Sequence, residues 1–339
     1  MSNKIVYGIM LALLLVGVLV SSVKPAKASV QMLEAIYIRA DGTIEPEEAL
    51  QCINTTDYTT YILTDNIISR AVDYGIVVER NNTVLDGRGY TVKGANITFS
   101  MGIYLYGVSN VTIKNVNISL FFYGIYLEES SYNTIAGNNI TKNWFGVYID
   151  SYCNNNTISG SNIMNNGNGI TLEGKHTEIE ERDCFHNSII ENNIVNNTGS
   201  AITLRMCHYN SVIGNNITGN KGSGIYLSEY SSNNVIHHNN FTDNGSQAKY
   251  GAGFGSNVWD NGTYGNYWSD YKGWDGTWIF GFVIGRDGIG DQPYVIDEIN
   301  KDRYPLTTNY PPPDVIQIVA VIAVVIVGAV YIRRKRKKA

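Results

Sequence analysis

The chain has 339 residues, of which 44% are apolar and 16% charged, and a formal net charge of -5. That is apolar material for a large core with too little Lys and Glu for solvated helices, while 24 Tyr and 34 Gly among many Asn, Thr and Ser suit short strands and tight turns. A net negative chain with no basic groove excludes nucleic acid as a partner.

Residues 1–28 read as a secretory signal: Lys4, an apolar run over 5–20, and the small-residue pattern Ala26, Lys27, Ala28 before a cleavage point at Ser29. Residues 29–99 are expected to form an N-terminal cap and the first rungs of a stacked repeat.

Residues 100–245 are repetitive. Aligned on the apolar residue of each Asn-rich phrase, the copies fall at Ile118, Ile140, Ile163, Ile194, Ile217 and Phe241, with steps of 22, 23, 31, 23 and 24 residues. Each copy holds three short apolar segments separated by turn residues, for example Thr134 and Ile135, then Asn139 to Thr141, then Gly146 to Ile149. A period near 22–24 residues without a leucine frame or a helical segment predicts an all-β fold, a right-handed parallel β-helix with three strands per rung.

In such a stack equivalent residues of successive rungs lie about 4.8 Å apart, so a column of identical side chains becomes a ladder. Asn133, Asn156, Asn187, Asn210 and Asn234 occupy one inward column; Asn143, Asn166, Asn197, Asn220 and Asn244 occupy another. An inward amide can donate to one rung and accept from the next, which makes these asparagines structural. Of the Asn-X-Ser/Thr sequons, Asn244 lies inward, whereas Asn117, Asn139, Asn216 and Asn240 should point outward and could carry glycans.

Cys153, Cys184 and Cys207 each precede the aligned isoleucine by ten residues, in a column that carries Ser130 and Ser231 elsewhere. The rung spacing falls inside the Cα range of a disulfide, so Cys184 could join Cys207 or Cys153; the alternative is three small inward thiols filling a corner of the core. All five histidines lie between residues 176 and 238 beside these cysteines, but without CxxC or HxxxH spacing, so no metal site is assigned. The 31-residue step marks an acidic insertion over 174–186, either a specificity loop or a solvated charge run.

The third strand of each copy gives the binding candidates. Tyr104, Tyr126, Tyr148 and Tyr226 share an outward column, and two residues further on come Glu128, Asp150, Glu173 and Arg205. Tyrosine faces can stack on sugar rings while carboxylates accept hydroxyls, so this strip is a candidate glycan-binding surface. Acids one or two rungs apart also meet the separation that glycoside hydrolysis needs, and Arg205 beside Glu173 is the nearest thing to a lyase pair, so an enzyme acting on extracellular polysaccharides is the alternative.

Residues 246–310 form an aromatic C-terminal cap, with Trp259, Tyr267, Trp268, Tyr271 and Trp274 covering the last rung. Residues 311–314 make a Pro-rich stalk, residues 315–332 a transmembrane helix and residues 333–339 a basic tail. Basic residues stay on the cytoplasmic side, which places a single-pass ectodomain outside the plasma membrane.

The phrases "GIYLEESSYNTIAGNNI", "IVVERNNTVLDGRGYTV", "GNYWSDY", "DGIGDQPYVID" and "DRYPL" resemble the β-helix domain of NosD-type periplasmic copper-binding proteins. That group also includes carbohydrate-binding and sugar-hydrolysis domains, and the layout is similar to archaeal surface-anchored versions. The resemblance runs from about Ile36 to Leu306. It implies a copper-related accessory role, for which no ligand set is visible in the chain. The family's closing segment implies calcium at Asp287 and Asp291; here the apolar run from residue 278 to 284 parts Asp275 from Asp287, so a hydrophobic cap without a cofactor is the expectation.

Overall fold

A computed structural model describes residues 30–309 except 71–72, 177–180, 229, 252–254 and 280–281. The secretory signal, the stalk, the transmembrane helix and the basic tail lie outside the described residues. Among the described residues no helix is long and apolar enough to cross a membrane. The described residues from Gln31 onward belong to one unit.

The backbone is a parallel β-solenoid built of three sheets, here A, B and C, with ten, ten and nine strands. One turn of the coil runs from sheet C, such as Thr134–Ala136, to sheet A, Asn139–Thr141, to sheet B, Phe145–Ile149. Each strand then pairs in parallel with its equivalent one turn later: Ile118 with Ile140, Ile140 with Ile163, Ile163 with Ile194. The inward residues of all three sheets form one core. Ile118, Ile135, Ile140, Ile158, Ile163, Ile189 and Ile194 are at most 1% exposed.

The corners explain why the repeat is spelled with asparagine. A residue in the left-handed region stands at each corner of a turn, for example Tyr132, Gly137 and Lys142, and the next residue in each case, Asn133, Asn138 and Asn143, points inward. The sharp reversal leaves backbone groups facing the core, and the amide of that asparagine satisfies them. Asn133 Oδ1 accepts from the Val111 N–H at 2.8 Å, Asn133 Nδ2 donates to the Val108 carbonyl, and the Asn133 N–H donates to Asn156 Oδ1 at 2.9 Å. The pattern continues through Asn187, Asn210 and Asn234. The second ladder runs identically from Asn143 through Asn166, Asn197 and Asn220 to Asn244.

One feature goes beyond the sequence reading. A third ladder exists, through Asn138, Ser161, Asn192, Asn215 and Asn239. The coil begins well before residue 100: Thr60–Leu63, Asn66–Ser69 and Tyr74–Val78 already supply one strand to each sheet. Those early turns lack the Asn-rich phrase, Thr91 standing where Asn117 and Asn139 stand later, so an alignment keyed on that phrase passes over them.

Close rung spacing also fixes a column of glycines in sheet B. A Cβ at Gly124 would lie 2.5 Å from the Gly146 carbonyl oxygen, and one at Gly146 would lie 2.6 Å from that of Gly169.

The C-terminal cap closes the core with rings. Phe241 stacks on Trp268 at 4.5 Å and 7°, and Trp268 stacks on Tyr294 at 4.2 Å and 4°. Trp259 and Trp268 are buried, whereas Trp274 is 44% exposed. The cap also ends the ladders. Asn257 and then Asn300 follow Asn234; Asn266 and then Asp302 follow Asn239; Gln247 receives Asn244 Nδ2.

Candidate functional site

The outer face of sheet B carries the predicted strip. Tyr104 aligns with Tyr126 and Tyr126 with Tyr148; then come Thr171, Thr203 and Tyr226. Because the strands are parallel and in register, the rings stack on one another, Tyr104 on Tyr126 at 5.5 Å and Tyr126 against Tyr148 at 5.4 Å; Tyr74, whose register partner is Met101, also stacks on Tyr104, at 5.3 Å. The expectation of open tyrosine faces needs correcting here. Tyr126 is 9% exposed and Asp150 4%, so the middle of the strip is closed by its own neighbours.

The hydroxyls of Tyr104, Tyr126 and Tyr148 each reach the acid of the following rung. Tyr104 donates to Glu128 Oε2 at 2.7 Å, Tyr126 to Asp150 Oδ2 at 2.8 Å, and Tyr148 to Glu173 Oε2 at 2.6 Å. Burial and these carboxylate partners raise all three tyrosine pKa values well above the ordinary range. Cations close the far side: Lys175 bonds Asp150 at 2.7 Å, and Arg205 bonds Glu173 at 3.1 Å. Lys175 comes from the 174–186 insertion, whose hairpin strands Lys175–His176 and Glu181–Arg182 pair antiparallel, so the insertion does return a side chain to the strip.

Asp150 is thereby committed. Burial opposes its ionisation, but bonds from Lys175, the Ser151 N–H and Tyr126 together hold its pKa below the ordinary carboxylate value, so it cannot serve as a proton donor near neutral pH. Glu128 differs: Tyr104 engages one oxygen, and no hydrogen bond to the other is found among the described residues. Tyr226 stands apart, beyond Thr171 and Thr203, with Lys249 Nζ 6.0 Å above its ring. The arrangement suits recognition of hydroxyl groups at its exposed edges, Glu128, Glu173, Lys175 and Arg205, better than proton transfer at its centre.

A second row of rings, which sequence reasoning passed over, extends the aromatic surface toward the corner with sheet A. Tyr123 stacks on Phe145 at 5.3 Å and 18°, and Phe122 on Trp144 at 5.9 Å and 4°. The signal was present in the aligned phrases "FFYGIYL" and "NWFGVYI", where aromatic residues precede the sheet B glycine in both copies.

The cysteines sit inside. All four are buried free thiols. Cys184 and Cys207 are register partners; Cys184 Sγ donates to the Asp150 carbonyl and Cys207 Sγ to that of Leu172. In-register parallel neighbours hold their Cβ atoms near the strand spacing of about 4.8 Å, beyond the ~3.5–4.5 Å that a disulfide prefers. Burial pushes the Cys52 thiol up to about 11 and the Cys153 thiol up to about 12, and Cys184 is raised by its hydrogen bond with Cys207 and by burial. The native chain should therefore leave a thiol reagent unreacted at pH 8, and denaturation without reductant should release four thiols. Release of only two would establish a disulfide.

Copper would need thiolate, thioether or imidazole donors converging on an open position. The thiols here are interior, and those of Cys52, Cys153 and Cys184 are hard to ionise. His186 stacks on Tyr209 at 5.6 Å, and His208 bonds Ser232 Oγ at 2.8 Å and Asp183 at 3.4 Å. His237 and His238 meet each other through their Nδ1 atoms, and burial lowers both pKa values. Among the described residues no three His, Cys, Asp or Glu side chains converge as a metal would require. This donor set does not fit copper. For calcium, Asp287 accepts from the Ile289 N–H within its own turn, and Asp291 accepts from the Gly276 N–H of an earlier segment, so both carboxylates are engaged by backbone donors.

A larger concavity, about 1100 Å³, lies elsewhere, at the N-terminal end around Tyr37, Arg39 and Glu45. Arg39 is clamped there by Glu45 at 2.6 Å and Glu79 at 3.0 Å, so volume alone does not make it the better candidate.

A profile of the family described as periplasmic copper-binding protein (NosD) matches residues 60–273. No curated protein matches the chain in sequence. Among solved structures, the chain is similar to the periplasmic alginate epimerase AlgG, with 15% identity over 70% of this chain and 77% of that one and a TM-score of 0.39. It is also similar to a mutant tailspike protein of E. coli bacteriophage HK620, with 14% identity over 59% of this chain and 41% of that one and a TM-score of 0.46. The Dettilon tailspike protein shows 15% identity over 70% of this chain and 58% of that one, with a TM-score of 0.37.

Proposed function

This chain belongs to the family of the periplasmic copper-binding protein (NosD), and from that premise we propose that it is a surface-exposed glycan-binding β-helix protein. The observation that carries this reading is the outer face of sheet B, where stacked tyrosines are laced to Glu128, Asp150 and Glu173 and flanked by Lys175 and Arg205. A preordered row of aromatic edges and charged groups, repeating at the rung spacing, suits a polymer whose hydroxyls also repeat. Export and anchoring are part of the proposal and rest on residues 1–28 and 315–339, which put the β-helix outside the plasma membrane on one helix with a cytoplasmic basic tail.

The test is binding of the full chain, in detergent, to immobilised polysaccharides, together with assay of released sugar. Glu128→Gln and Glu173→Gln together should weaken binding about tenfold, the loss expected for charge-assisted bonds to hydroxyls. Binding unaffected by the pair would remove the strip from the proposal. Sugar released by the parent chain and abolished in Glu128→Gln would replace binding by hydrolysis or elimination.

A further inference from the structure

We propose a second carbohydrate subsite, at the corner between sheets A and B, where the open face of Trp144 stacks on a pyranoside ring. It rests on the glycan-binding reading of this protein but uses none of the strip's residues.

The rings of Phe99, Phe122 and Trp144 follow one another along the corner, with centroids 5.4 Å apart for the first pair and 5.9 Å for the second. Phe122 covers one face of the Trp144 indole in nearly parallel fashion, at 4°. The column then stops. Its next member is Gly167, whose N–H bonds the Asn143 carbonyl just as the Trp144 N–H bonds that of Phe121 one turn earlier. A side chain cannot stand there, because a Cβ at Gly167 would lie 2.3 Å from the Trp144 carbonyl oxygen. A Cβ at Gly199, in the following turn, would lie 2.3 Å from Asn168 Oδ1. The second face of the indole therefore looks over a floor of bare backbone, and Trp144 remains 60% exposed.

A groove of about 420 Å³ runs along this corner, from Asn96 past Lys142, Trp144 and Asn165 to Thr198. Its volume is within the ~300–1,000 Å³ of small-ligand sites, and four rung spacings of about 4.8 Å give it the length of a short oligosaccharide. Its polar lining is of the kind hydroxyls use. Asn168 Oδ1 accepts from the Ser200 N–H at 3.2 Å, and among the described residues no partner is found for its Nδ2. Lys142 and Asn165 are exposed, and no carboxylate lines the groove. An aromatic face beside amide donors binds the C–H face of a sugar ring and its equatorial hydroxyls together, a combination that a flat apolar patch for protein docking would not need.

The experiment titrates the full chain, in detergent, with cellohexaose, mannohexaose and hexagalacturonate. Trp144→Ala should weaken binding of the preferred hexamer at least about tenfold, while Trp144→Phe, which keeps a stacking face, should stay within about threefold. Binding indifferent to Trp144→Ala overturns the corner subsite; if the same binding falls in the Glu128, Glu173 pair, the strip alone is the site. Absence of binding by all three hexamers in the parent chain overturns the corner subsite, whereas retained binding to long immobilised polysaccharide would leave the strip standing.

Discussion

Asn210→Ala is expected to lower the stability of the β-helix by about 3–5 kcal/mol, read as a fall in the urea midpoint with an unchanged slope. Asn210 is fully buried. Its Oδ1 accepts from the Asn187 N–H at 2.8 Å and from Asn187 Nδ2 at 3.2 Å, and its Nδ2 donates at 3.0 Å each to the Cys184 carbonyl, the His208 carbonyl and Asn234 Oδ1. Alanine would strand a backbone donor on one rung and a backbone acceptor on another, with no water to replace the amide. Each buried group left unpaired costs about 1–3 kcal/mol, more than the net worth of the bonds themselves. Asn216→Ala is the control: that side chain is exposed, bonds only outward neighbours such as Asn193, and should cost under about 0.5 kcal/mol. Equal effects at the two positions would contradict the ladder as the source of stability.

Asp302→Ala should be comparably damaging, and Asp302 should also make stability fall as pH rises. The carboxylate is fully buried and ends a ladder, with Oδ2 accepting from the Asn266 N–H at 2.7 Å and Trp268 Nε1 at 2.9 Å, and Oδ1 from the Tyr304 N–H at 3.1 Å. Burial raises its pKa to about 6, against the pull of those donors toward the charged form. Between the unfolded value near 3.9 and the folded value the native state holds a proton that the unfolded state has lost, so stability declines with rising pH. The decline is complete once pH exceeds the folded value, and its full size is about 3 kcal/mol at ~1.4 kcal/mol per unit. Asp302→Asn keeps an acceptor and removes the titration. Relative to that variant the parent chain should lose ground from pH 4 to pH 6 and stay level above; thermal melts in parallel across that range would show it. Parallel curves for the two proteins would place the carboxyl's titration outside this window. Asp86, Asp150 and Asp260, whose pKa values are lowered, act in the opposite sense at lower pH, which is why the comparison is made against the variant.

Much of the fold was legible. The steps between Ile118 and Phe241 became the register of sheet A, and the two named asparagine columns became continuous hydrogen-bonded ladders. The third ladder was harder to see because Gly137, Gly160 and Gly214 precede its members and Ser161 interrupts it. Its ending at Asp302 could not be read at all, since residues 266 and 302 meet only when the cap folds back.

The site was legible as columns but not as contacts. Alternation along "GIYLEE" placed Tyr126 outward, yet outward does not mean exposed when identical rings lie one rung away on both sides. Trp144 escaped notice because it belongs to a corner, where no two-residue periodicity applies.

The linear order of residues alone determined that this chain coils in parallel and with what period, because inward Ile and Asn recur at intervals that only stacked rungs can satisfy. What the tertiary structure decided is which outward groups remain available: Tyr hydroxyls spent on the acids of the next rung, thiols turned inward, and one indole face left open above Gly167. Those outcomes depend on neighbours some 23 to 25 residues away in the chain but one strand spacing away in space, and distances of that kind are set by packing, not by local sequence.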